Sequence, residues 1–116
     1  LLDDAQASLA WVADSGSDSE YRSIAKLRLA GLMLDAKKYD DALKTLDGIE
    51  TPEFAALAAD RRGDVLLAEG KNEEAKAAYQ KAWSAMDPKI DYRRLIEAKL
   101  NVLGAQPAAS AAEAAK

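Results

Sequence analysis

The chain has 116 residues, 49% of them hydrophobic and 31% charged, a formal net charge of −4, and neither His nor Cys, which suits one domain with a real core and argues against a disordered chain. The missing Cys excludes disulfides, thiol chemistry and Cys-ligated metals, and the missing His removes the commonest general base and metal ligand. A negative chain without an Arg/Lys cluster offers nothing to a phosphate backbone, so nucleic acid is not an expected partner, and no apolar run approaches the roughly 18–20 residues that cross a bilayer.

The start, Leu1-Leu2-Asp3-Asp4, is neither a signal peptide nor an initiator Met, which makes an excised fragment the expectation. A first helix is predicted from about Asp3 to Ala13. Ser17 and Glu20 then form a capping-box pattern, and Ile24, Leu27, Ala30 and Leu34 recur at helical spacing up to the polar break Lys37-Lys38. The next helix starts near Tyr39-Asp40 and carries Ala42, Leu43, Leu46 and Ile49 on one face. Thr51-Pro52-Glu53 places an N-cap, a Pro at the first helical position and an acid near the positive end of the helix dipole. That helix runs through Ala55, Ala59, Gly63 and Leu66 to Gly70. Asn72 is expected to cap its partner, which carries Ala75, Ala78, Tyr79, Ala82 and Trp83. A last helix follows Pro88, with Ile90, Leu95, Ile96, Leu100 and Leu103 as its apolar stripe and Gly104 as its end. No stretch alternates with period two, so no strand is predicted. From Ala105 onward the chain is Ala-rich and has no large apolar anchor; residues 1–104 are read as one helical domain and residues 105–116 as a disordered tail.

The chain repeats itself. With Tyr39 laid on Asn72, an offset of 33, Ala30 meets Gly63, Met33 meets Leu66, Leu34 meets Leu67, Asp40-Asp41 meets Glu73-Glu74, Ala42 meets Ala75 and Leu46 meets Tyr79. Small residues at 30, 42, 63 and 75 let paired helices approach closely while Leu46 or Tyr79 fills the space beyond.

Small residues at the eighth and twentieth positions and a large one at the twenty-fourth resemble the tetratricopeptide repeat. Ala30, Ala42 and Leu46 supply them in the first copy, and Gly63, Ala75 and Tyr79 in the second. Lys26 and Ala59 depart from its fourth position, Arg62 from its seventh, and Pro88 stands about one place off. The resemblance implies an all-α fold of about six antiparallel helices in a right-handed array. More narrowly, LRLA (Leu27 to Ala30), ALKTLD (Ala42 to Asp47) and AD-x-RGD-x-LL-x-x-G (Ala59 to Gly70) are similar to the YfgM family. This implies the C-terminal, periplasmic part of an inner-membrane protein, tethered by an upstream helix, that serves as an ancillary subunit of the SecYEG translocon and associates with periplasmic chaperones. A soluble, cytoplasmic tetratricopeptide scaffold or self-associating adaptor, possible as a homodimer through the edge at Leu1-Leu2 and Leu9, is the alternative.

Little else in the sequence suggests chemistry. Asp40-Asp41 and Glu73-Glu74 fall at the same place in both copies, the first turn of a helix, where acids stabilise the dipole; Asp3-Asp4 is read likewise. Asp60 and Asp64 share a helix face, but two carboxylates are too few for a divalent ion, and with Arg61 and Arg62 beside them a solvated or salt-bridged surface is expected. No G-x-S-x-G, S-x-x-K or phosphate-cradling loop is present, and Gly31, Gly63 and Gly70 are assigned to packing and turns. The aromatic residues Trp11, Tyr21, Tyr39, Tyr79 and Trp83 are read as packing. No enzyme activity, cofactor or metal is expected.

In tetratricopeptide arrays the first helix of each pair lines the concave face. The resemblance places Ile24, Leu27, Gly31 and Leu34, then Leu57, Asp60, Asp64 and Leu67, toward a protein partner. Lacking Lys and Asn at these places, the domain is not expected to clamp acidic C-terminal tails. The last helix, Tyr92 to Leu103, is an obvious candidate to occupy the groove.

Overall fold

The computed structural model describes residues 2–15 and 18–107, which form six α-helices and no strand. They are α1 (Leu2–Ser15), α2 (Ser19–Asp35), α3 (Tyr39–Asp47), α4 (Ala55–Ala68), α5 (Asn72–Ala85) and α6 (Tyr92–Val102), with a 3-10 turn at Pro52–Phe54 leading into α4. Short connections fold consecutive helices back on one another. None of the described helices is long and apolar enough to cross a membrane.

The helix starts differ from expectation in three places. Asp18 caps α2, its carboxylate accepting from the Glu20 N–H at 2.8 Å; Ser17, the expected cap, lies outside the described residues. Thr51 makes no capping bond, because Pro52 opens a 3-10 turn and regular helix begins only at Ala55; its hydroxyl instead pairs with that of Ser23 at 2.7 Å and ties the turn to α2. Asn72 is the first residue of α5, and Lys71 holds the cap position without a side-chain bond. The acids behave as expected: Asp40 and Asp41 occupy the first turn of α3, and Glu73 and Glu74 that of α5.

Three helix ends share one construction. After α2, the Lys38 N–H reaches the Met33 carbonyl and the Lys37 N–H that of Leu34; Lys71 to Leu66 with Gly70 to Leu67, and Ala105 to Leu100 with Gly104 to Asn101, repeat the pattern at 2.8–3.0 Å. The residue that reverses the chain has positive φ each time, 61° at Lys37, 79° at Gly70 and 75° at Gly104. From Lys37 to Gly70 is 33 residues and from Gly70 to Gly104 is 34. The structure thus adds α6 to α2 and α4 as a third copy of the repeat's first helix.

Two clusters make most of the core. Ala30, Ala42, Leu46 and Val65 join α2, α3 and α4, and Ala59, Leu66, Ala75, Ala78, Tyr79, Ala82, Met86, Ile96 and Leu100 join α4, α5 and α6. The α4–α5 pair is the most extensive contact in the molecule, and Gly63 makes it possible: a Cβ there would lie 2.5–2.8 Å from three atoms of the Tyr79 ring. Ala105 still packs against this cluster, and Gln80 Nε2 donates to the Gln106 carbonyl at 2.5 Å, so both residues belong to the packed unit.

Some aromatic and apolar expectations do not hold. Tyr79 is core and Tyr39 and Trp83 are half-buried, but Trp11 and Tyr21 are each 66% exposed, whereas small residues of the same two helices, Ala13 and Ala25, are buried. In α6 the inward face is Arg93, Ile96 and Leu100, which leaves Leu95 half out; Ile90 lies in the turn before the helix and is also exposed. Arg93 is buried by stacking on the Trp83 ring at 3.7 Å and donating to the Trp83 carbonyl at 3.1 Å.

Candidate functional site

The predicted concave row divides between two environments. In the second copy α6 engages its acids. Asp60, fully buried, accepts from the Tyr92 hydroxyl at 2.5 Å, Lys99 Nζ at 2.9 Å and Arg61 at 3.2 Å. Asp64 accepts from the Tyr79 hydroxyl at 2.5 Å and pairs with Lys99 at 3.1 Å. Arg61 also donates to the Tyr92 hydroxyl at 3.0 Å. Where a solvated or salt-bridged surface is expected, the structure has a salt-bridged network in which two carboxylates face two cations, closed over Asp60 and part-exposed at Arg61, Asp64 and Lys99. Arg62 takes no part, pairing instead with Asp47 at 2.6 Å. Burial favours the neutral form of Tyr79 and Tyr92, and their hydrogen bonds to Asp64 and Asp60 push the same way, so both phenols ionise above their ordinary range. Burial opposes the charge on Lys99, but the hydrogen bond and field of Asp60, reinforced by Asp64, outweigh it and raise its pKa. Charges so fully committed to one another are poor candidates for chemistry. Leu57 packs against the core beside them.

In the first copy the row stays open. A groove of about 530 Å³ runs between α1, α2 and α4, lined by Leu9, Arg28, Gly31, Leu32, Leu34, Asp35, Arg61 and Asp64. Of the expected residues, Gly31, Leu34 and Asp64 meet here. Leu27 and Leu34 also pack against the first core cluster; neither Leu27 nor Ile24 lines the groove, and Leu67, though exposed, stands outside it. Leu9, Arg28, Leu32, Asp35 and Arg61 are groove residues that the sequence reading does not reach. The available signal was the spacing of Arg28, Gly31-Leu32 and Asp35, one stripe along a helix.

Gly31 itself departs from expectation. Packing does not call for it, since a Cβ there would meet nothing within 4 Å, the opposite of Gly63. It leaves the groove floor bare. A second hollow of about 590 Å³ on the α3, α4 and α5 side has an Ala-rich floor, but the Asp47–Arg62 pair stands in its lining.

The repeated helix ends, the small residues at 30, 42, 63 and 75 and the stacked helix pairs have a counterpart among known families: a model described as a tetratricopeptide repeat-like domain matches residues 2–105. The chain belongs to that family. It is 37% identical over 101 residues to an ancillary SecYEG translocon subunit of Neisseria gonorrhoeae (strain ATCC 700825 / FA 1090), covering 87% of this chain and 48% of the relative. It is 38% identical over 79 residues to a protein of the same name from Escherichia coli (strain K12), covering 68% of this chain and 38% of the relative. The chain thus spans half or less of the curated relatives it matches. No solved structure matches it significantly.

Proposed function

We propose that this chain is a non-catalytic protein-interaction domain, the periplasmic part of a membrane-tethered accessory subunit of the Sec translocon that contacts chaperones. The similarity to two ancillary SecYEG translocon subunits carries this reading, because in the gonococcal case it runs through 87% of the chain. The geometry supports it. The facing ions of α4 and α6 neutralise one another, and the open groove has side chains to grip a polypeptide and none arranged for catalysis. Of the expected row of Ile24, Leu27, Gly31, Leu34, Leu57, Asp60, Asp64 and Leu67, the contact surface we propose keeps Gly31, Leu34 and Asp64 and adds Leu9, Arg28, Leu32 and Asp35.

The test is photo-crosslinking in bacterial membranes, with a photoreactive residue at position 32 of the full-length protein. Adducts to translocon subunits or periplasmic chaperones are expected. Adducts only to a second copy of the protein would overturn the reading in favour of the self-associating scaffold. One observation favours that alternative: the exposure of Trp11 and Tyr21, large aromatic surfaces on the first helix pair.

A further inference from the structure

Gly31 stands in the interior of a 17-residue helix, where glycine is a poor choice, and the fold does not need it there, since a side chain would meet open space. The bare position leaves room for something from outside. Around it the groove is lined by Leu9, Leu32 and Leu34, with the mutually paired Arg61 and Asp64 on the α4 side, and the α2 stripe is charged at both ends: Arg28 lies three residues before Gly31 and Asp35 four after. Both charges are exposed, and neither has a hydrogen-bond or ion-pair partner among the described residues. They stand about 10 Å apart along the helix axis, seven residues at ~1.5 Å each. Asp35 ends α2, where the helix dipole is negative and no basic residue occupies the last turn, so that end of the groove favours a cation. The molecule shows how a neighbouring helix meets such a row. In the second copy α6 sets Tyr92 on Arg61 and Lys99 on the Asp60–Asp64 pair, two side chains also seven residues apart.

We infer that the groove over Gly31 takes a helical segment of a partner protein that carries a carboxylate and a basic side chain seven residues apart, with a large apolar side chain between them. The carboxylate meets Arg28, the base meets Asp35, and the apolar side chain enters over Gly31 against Leu9, Leu32 and Leu34. This rests on the proposed interaction role and names the chemistry of the partner at that site.

The probe is a fluorescent stapled helical peptide with an acid, a leucine and a lysine at i, i+3 and i+7, made in both charge orders, with a control in which Gln replaces both charges. Anisotropy is measured on the full-length protein in detergent. One charge order binds more tightly than the control; Arg28→Glu or Asp35→Lys weakens it about fivefold, the size of an exposed charge pair turned repulsive. The double variant prefers the opposite order, and Gly31→Leu loses binding while keeping the wild-type circular dichroism spectrum. Equal affinity for charged and neutral peptides, or binding untouched by Gly31→Leu, overturns the inference. The same variants in the crosslinking experiment separate the two readings. Absent translocon and chaperone adducts in the wild type would refute the functional role, whereas adducts that persist unchanged in Gly31→Leu and in the double variant would refute only the occupant named here.

Discussion

Replacing either of two glycines by alanine should change stability in opposite directions. In a helix interior the exchange is worth about 0.5–1 kcal/mol in favour of alanine, because glycine loses more backbone freedom on folding. At Gly31 nothing opposes that gain, since the new methyl meets no atom within 4 Å. At Gly63 the methyl would fall 2.5–2.8 Å from Tyr79 ring atoms. The ring cannot easily yield: Tyr79 is 1% exposed, and its hydroxyl is held on Asp64 at 2.5 Å. Overpacking of this kind costs about 1–3 kcal/mol, leaving Gly63→Ala destabilised by about 1–2 kcal/mol after the helix gain. The two variants should therefore differ by about 2 kcal/mol, with each kcal/mol shifting Tm by roughly 4–8 °C in a domain of about this size. Urea unfolding followed by far-UV circular dichroism measures the difference. A Gly63→Ala protein as stable as wild type would show that Tyr79 is not clamped, and a destabilised Gly31→Ala protein would show that the space above Gly31 is not open.

Lys99→Met should cost about 2–3 kcal/mol, below the usual penalty for breaking a buried pair because Asp60 keeps Arg61 and Tyr92, and hydrogen exchange should show α6 opening more often. Ala75→Leu should cost about 1–3 kcal/mol in urea unfolding, since Ala75 is fully buried where α5 meets α4. Lys37→Gly should stabilise by about 1 kcal/mol, because Lys37 alone among the three repeated helix ends puts a Cβ-bearing residue at positive φ. Above pH ~10 stability should fall. Tyr79, Tyr92 and Lys99 all have folded-state pKa values raised above their unfolded ones, so the unfolded chain gives up protons that the native state retains. Spectrophotometric titration should show these two phenols ionising above the ordinary tyrosine range; two phenols ionising at the ordinary value in the folded state would contradict the network.

The features legible in the sequence were those with a local cause. Helical spacing, the paired acids of α3 and α5, and the small residues at 30, 42, 63 and 75 act within a turn or across one helix pair, and a single chain displays them. The caps were less legible because a hydroxyl or amide can serve more than one partner: Thr51 bonds Ser23 across the structure, and the turn after Gly70 starts α5 without help from Asn72. Asp60 was misplaced for a similar reason. Its burial depends on Tyr92 and Lys99, more than 30 residues away, and nothing in the stretch Asp60-Arg61-Arg62 announces them.

The third repeat copy was hidden by one residue. At the place of Ala30 and Gly63, seven residues before the residue of positive φ, α6 carries Glu97, so the small-residue rule fails while the turn after the helix keeps its form. The family match through residue 105 takes in this helix. Its presence divides the labour along the array. In the second copy Asp60 is fully buried and Asp64 partly so, and Lys99 and Tyr92 of α6 satisfy them from within. In the first copy Leu27 and Gly31 stand at those two places, so no buried charge there demands an internal partner, and the charges nearby, Arg28 and Asp35, remain in solvent. A row that is internally neutralised has little left to offer a ligand, since any new contact must replace one already made. Specificity should therefore reside in the first copy, where the charges are still unspent and the floor at Gly31 is bare.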